Sequence, residues 1–168
     1  MHYSITDFDA LPEDAATAVL LECCSSPSWA HTVAATRPYE SRSALIVAAK
    51  TALEQLTGAA LDDALAGHPR IGERADNAES RREQAAVATS DAHLLERIAA
   101  GNRAYEAKFG HVYLVRAAGR SAAELLEILE RRLDNEPDAE QHEVRSALTD
   151  ITCLRLERLI VDTSEGTE

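Results

Sequence analysis

Val144, Leu148 and Ile151 recur at i, i+4 and i+7, and Leu159 falls on the same line. At about 100° per residue this spacing lays one apolar stripe along a helix from about Asp138 to Ile160. A stripe that long must be covered by other segments, and the segments before it have the same period. Ser121-Ala122-Ala123-Glu124 has capping-box spacing and opens a helix carrying Leu125, Leu126, Ile128, Leu129 and Leu133. Leu45, Ala49, Ala52, Leu53 and Leu56 keep helical spacing between about Ser43 and Leu56. Further helices are expected from Pro12 to Cys24, Trp29 to Ala35, Leu61 to Ala66, Glu79 to Ala88 and Asp91 to Lys108, with Gly110 as a stop. The apolar fraction, 45%, comes mainly from Ala and Leu, and aromatic residues make up only 4%. That bias favours helix over sheet.

The expected fold is therefore all-α: one domain over residues 1–168, a bundle of roughly eight helices with its core at about 8–160 and a frayed tail at 162–168. His111 to Val115 alone has strand-like composition. One short extended segment cannot form a sheet, so residues near 111–116 are expected as extended backbone laid over helices.

Charge and cysteines narrow the setting. The chain carries 29 acidic against 17 basic residues, a net charge of -12. A phosphate-backbone binder needs a basic face, so no nucleic acid partner is expected. The three cysteines, Cys23, Cys24 and Cys153, form no paired framework, and reduced thiols in a cytoplasmic protein fit them. The N-terminal residues lack the pattern of a signal peptide, and no apolar run reaches membrane-spanning length.

Chemistry is concentrated in a few places. His68-Pro69-Arg70-Ile71-Gly72 sets an imidazole at the end of a helix, where the following proline disfavours helical dihedrals and flanking glycines allow a tight loop. Imidazole exchanges protons near neutrality. Arg155 falls in the middle of the apolar stripe, where a permanent charge requires an anionic partner. That partner is either a carboxylate of a neighbouring helix or a ligand carboxylate or ureido carbonyl. Ser80-Arg81-Arg82-Glu83-Gln84 again has capping-box spacing. Either it is simply a well-capped helix, or Ser80, Glu83 and Gln84 line a first turn that offers free N–H groups. In the second case Glu83 orients His68, and Ser80 and Gln84 bind the polar edges of a small ring. Asn102, Tyr105 and Phe109 share one helix face, a pattern of core as much as of site. No zinc spacing and no phosphate-cradling loop occur, so no metal is expected.

In chain order, His68-Pro69-x-Ile71-Gly72, Ser80-x-x-Glu83-Gln84, Asn102-x-x-Tyr105-x-x-Lys108-Phe109-Gly110 and Ile151-x-x-x-Arg155-Leu156 resemble the OHCU decarboxylase family. The Cys24 to Trp29 stretch, Arg37-Pro38-Tyr39 and Arg132-x-x-Asn135 also look like that family, so the likeness covers about Phe8 to Leu159. The family name abbreviates 2-oxo-4-hydroxy-4-carboxy-5-ureidoimidazoline decarboxylase, the last step from urate to (S)-allantoin. The resemblance implies an all-helical, cofactor-free, commonly dimeric carboxy-lyase acting on a small molecule. It implies His68 and Glu83 as the catalytic pair and Pro69, Ser80, Gln84 and Arg155 as substrate contacts, with main-chain bonds from His111, Val112 and Tyr113. The chain departs from the family where relatives often carry Phe-Gly-Phe-Pro-Phe, since it has Phe109-Gly110-His111-Val112-Tyr113, and its loop before Ser80 is shorter. Two rival readings are a non-catalytic acidic helical module that binds a basic partner and a metal-dependent hydrolase built on His68 and Glu83.

Overall fold

The computed structural model describes residues 1–161; the tail at 162–168, expected to fray, lies outside the described residues. Among the described residues ten helices follow one another: α1 Ile5–Ala10, α2 Glu13–Leu21, α3 Pro27–Ala35, α4 Arg42–Glu54, α5 Gly58–Ala66, α6 Ala78–Glu83, α7 Ala85–Ala88, α8 Ala92–Phe109, α9 Ala122–Leu133 and α10 Pro137–Leu159. The all-α expectation is met. The two helices beyond the expected eight are α1, which the apolar period does not show, and α7, which a break at Gln84 separates from α6. Among the described residues β pairing is confined to one isolated parallel bridge, Tyr3 with Ile160. No single described helix is long and apolar enough to cross a membrane.

The chain forms two compact units. The first holds residues 1–64 and the chain from Thr149 onward, and the second Leu65–Leu148. In the first unit, serine side chains start three helices. Ser4 accepts from the Asp7 N–H at 3.1 Å, Ser26 from Trp29 at 3.3 Å, and Ser41 from Ala44 at 3.1 Å. Trp29 is buried and its indole N–H donates to the Ala49 carbonyl at 3.1 Å, fixing α3 against α4. Arg37 closes the end of α1, with Nη1 donating to the carbonyls of Phe8 at 2.9 Å and Leu11 at 2.7 Å. The two termini of this unit are tied by Tyr3 N–H to the Leu159 carbonyl at 2.8 Å and Val161 N–H to the Tyr3 carbonyl at 2.9 Å.

In the second unit α9 buries Ala122, Leu125, Leu126, Leu129 and Arg132, one face of the helix. That face joins Ile71, Val87, Ile98, Tyr105, Tyr113 and Val115 in one core cluster. α8 reaches α9 closely at Gly101, where a Cβ would lie 2.5 Å from Leu129 Cδ2. As expected, Gly110 stops α8 in the left-handed region at φ +79° and Ser121 caps α9. Residues 112–117 run without helix or ladder, and Tyr113, Val115 and Ala117 are buried in the cluster.

Candidate active site

α5 ends at Ala66, and the His68 N–H donates back to the Leu65 carbonyl at 3.2 Å as the chain leaves the helix. Pro69 prevents continuation. His68 and Pro69 are half-buried on the loop that follows. Three residues from the imidazole that loop is gripped. Ile71 is buried, and its carbonyl accepts from Asn102 Nδ2 on α8 at 2.9 Å. The Gly72 N–H donates to Gln84 Oε1 at 3.0 Å, with Gly72 at φ +88°, a conformation that favours glycine. At the surface Arg70 holds Glu106, its Nε and Nη2 donating to the two carboxylate oxygens at 2.6 and 3.2 Å.

The segment expected as a helix from about Glu79, with Ser80 and Glu83 at capping-box spacing, is built differently. Asn77 is the N-cap of α6, its Oδ1 accepting from the Ser80 N–H at 2.7 Å, and Ser80 is buried inside the helix. The capping box read from Ser80 and Glu83 is therefore corrected. Asparagine three residues ahead takes the cap, and its side chain satisfies the donor that Ser80 was expected to leave free. Glu83 is the half-buried last residue of α6 rather than part of its first turn, and Gln84 sits at the break before α7. The clamp from Gln84 to Gly72 thus ties the segment carrying Glu83 to the loop carrying His68. Its amide oxygen is occupied by the protein itself. Beside this clamp lies a hollow of about 480 Å³ lined by Gly72, Arg74, Ala75, Gln84, Val87 and Leu95, among others.

His111 is half-buried, with its ring edge-on to Tyr105 at 5.5 Å between centroids. Its Nδ1 lies 3.0 Å from the Val112 carbonyl, which only accepts, so Nδ1 carries the proton there. The Tyr113 side chain is spent inside the protein: it is buried and its hydroxyl donates to the Leu125 carbonyl at 3.0 Å. Burial holds the Tyr113 phenol well above its ordinary pKa.

The extended segment is anchored by a residue group that sequence reasoning only partly found. Arg132 Nη1 donates to the Leu114 carbonyl at 2.8 Å, while its Nε donates to Glu140 Oε1 at 2.9 Å. The Tyr105 hydroxyl donates to the same carboxylate, and Asn135 Nδ2 donates to Glu140 Oε2 at 3.0 Å. Burial works against the Arg132 charge, but the Glu140 carboxylate more than offsets it and leaves the guanidinium pKa raised. Burial, and then the Glu140 bond, push the Tyr105 phenol up. Glu140 was missed, although it lies four residues before Val144 on the same stripe that singled out Arg155.

Arg155 belongs to the first unit. It is buried, 6% exposed, between Ile151 and Leu159 on the inward stripe of α10. Cys24 of the same unit feels its charge: burial pushes the Cys24 thiol pKa up, and the Ser26 backbone, the Thr152 hydroxyl and Arg155 pull the other way. The other expected site residues, His68, Pro69, Ser80, Glu83, Gln84, His111, Val112 and Tyr113, belong to the second unit. Among the described residues no three His, Cys, Asp or Glu side chains are grouped as a metal ion would require.

The sequence profile of OHCU decarboxylases matches residues 9–157. The chain is 30% identical over 148 residues to the uric acid degradation bifunctional protein TTL of Arabidopsis thaliana; the match takes in 83% of this chain and 46% of that protein. The chain thus spans about half the length of this curated relative. A crystal structure of OHCU decarboxylase in the presence of (S)-allantoin is similar at a TM-score of 0.77 and 27% identity, over 90% of this chain and all of that one. A crystal structure of (S)-allantoin synthase is similar in fold, at a TM-score of 0.73 and 18% identity, over 94% of this chain and 54% of that one.

Proposed function

Because the chain belongs to the OHCU decarboxylase family, we propose that it removes CO₂ from 2-oxo-4-hydroxy-4-carboxy-5-ureidoimidazoline and yields (S)-allantoin in urate catabolism. The observation that carries this reading is the extent of the family match, residues 9–157, together with the fold shared over the full length of a solved OHCU decarboxylase.

The residues suit a reaction that needs no electron-sink cofactor. When CO₂ leaves this substrate, its own conjugated imine and carbonyl groups accept the electron pair. The protein must then position the substrate, complement its charge and move a proton. In our reading His68, assisted by Glu83, handles the proton of the substrate's hydroxyl or carboxyl group, a role typically worth about 10²–10⁴ in rate. Arg155 meets the substrate's polar oxygens, with its planar fork matched to carboxylate or ureido groups. Ser80, Gln84 and Pro69 contact the ring. The main chain of His111, Val112 and Tyr113 supplies further hydrogen bonds, on a segment that Arg132 and the core hold in place. Delivery of a proton to one face of the carbanion-like intermediate sets the (S) centre. We assign the enzyme to the cytoplasm as a homodimer, with its catalytic domain running from about residue 8 to 160.

The test generates the unstable substrate from urate with uricase and hydroxyisourate hydrolase and follows circular dichroism of the product. Adding this protein should accelerate the appearance of the (S)-allantoin signal. An unchanged rate at micromolar enzyme would refute the assignment.

A further inference from the structure

We infer that Asn102, which touches no substrate in the reading above, is a positioning residue for His68, acting through the Ile71 carbonyl. The inference rests on the assignment of His68 as the proton-handling group.

Three contacts of unequal weight hold the loop that carries His68, and a longer bond from Gln84 Nε2 reaches the Arg70 carbonyl at 3.5 Å. The Arg70–Glu106 pair has side chains 48% and 27% exposed, so water and salt screen it. The Gln84–Gly72 bond lies on the side of the loop that faces the hollow and is only partly buried, Gly72 itself being exposed. The Asn102–Ile71 bond is the fully enclosed one. Asn102 is 4% exposed and Ile71 5%, and the donor comes from the middle of α8, an 18-residue helix that is part of the core.

The orientation of the amide is fixed, because a carbonyl accepts only and Nδ2 must face it. The opposite atom, Asn102 Oδ1, is buried with no protein partner among the described residues. An apolar residue of similar size would avoid that burial. What the asparagine supplies, and leucine does not, is one directed bond to the backbone three residues from His68. Pro69 transmits the constraint, since its ring locks φ in the short stretch between Ile71 and the imidazole.

The test compares wild type with Asn102→Leu. Loss of the latch should lower kcat by about 10²-fold, the cost of a misplacement of roughly 1 Å, with KM changed less than threefold and helical circular dichroism retained. The ¹H–¹⁵N correlation of the His68 ring nitrogens should shift in the variant. Wild-type kcat per folded molecule with unmoved His68 resonances would overturn the inference. If the leucine variant does not fold, Asn102→Ala, which has no donor and adds no bulk, is read by the same two criteria. An inactive wild type would instead strike at the proposed function, so the two failures are distinguishable.

Discussion

Arg132 and Glu140 form a buried ion pair in the second unit, with side chains 3% and 1% exposed and the Arg132 Nε 2.9 Å from Glu140 Oε1. The pair is also the support of the extended segment, since the same guanidinium holds the Leu114 carbonyl and stacks over the Tyr113 ring at 5.1 Å. Removing Arg132 leaves the Glu140 charge with the neutral donors Tyr105 and Asn135, and removing Glu140 leaves Arg132 with the more distant Glu143 carboxylate at 3.8 Å. Glu140→Leu or Arg132→Met should each cost about 3–5 kcal/mol in urea unfolding. The double variant Arg132→Met/Glu140→Leu should cost clearly less than the sum. Additive losses would show that the two charges do not act as a pair.

Gly101 gives a sign test for the α8–α9 contact. A methyl group there would meet Leu129 Cδ2 at 2.5 Å and Cγ at 3.2 Å, and Leu129 is fully buried. Overpacking of this kind costs about 1–3 kcal/mol, against a gain of about 1 kcal/mol from replacing a helical glycine. Gly101→Ala should therefore destabilise wild type, yet stabilise a Leu129→Ala background where the space is open. Chemical denaturation of the four proteins reads both signs; stabilisation by Gly101→Ala in wild type would contradict the close approach.

Glu143 gives the acid limb of stability. Arg131, bonded to it at 2.8 Å, holds its carboxyl below the usual value of 4.5. A carboxyl with a depressed native pKa binds fewer protons folded than unfolded in that window, so its contribution is complete above about pH 4.5 and is lost as pH falls through the native value. The side chain is 34% exposed, so the contribution is at most about 1 kcal/mol. The stability gap between wild type and Glu143→Gln should be widest near neutral pH, close below pH 4.5, and shrink in high salt. A gap that persists undiminished at pH 2.5 would assign it to something other than charge.

The helices that bury long periodic faces were legible in the sequence, and those held by single contacts were not. The stripe from Val144 to Leu159 and the Ser121 cap gave α10 and α9 within a few residues. α1 escaped because it buries one residue, Phe8, and so has no period to read, although Ser4 and Asp7 bear cap spacing. The break at Gln84 lies between Ala85-Ala86 and Arg82-Glu83, good helix formers all. It is associated with a side chain that reaches twelve residues back to Gly72, a tertiary demand that local propensity cannot carry. Of the site, the His68 loop and the buried Arg155 were visible as residue types that physics requires to be explained. Glu140 was equally visible on the Arg155 stripe, and Asn77 was overlooked as a cap because Ser80 offered a second one.

The central claim is most directly tested by circular dichroism of the urate-derived substrate mixture, comparing wild type with His68→Ala at equal concentration of folded protein. Wild type should drive rapid formation of (S)-allantoin, and the alanine variant, with unchanged helical signal, should fall by about 10²-fold or more. Equal rates for the two proteins would remove the imidazole from the mechanism, and no acceleration by either would end the account of this chain as a decarboxylase.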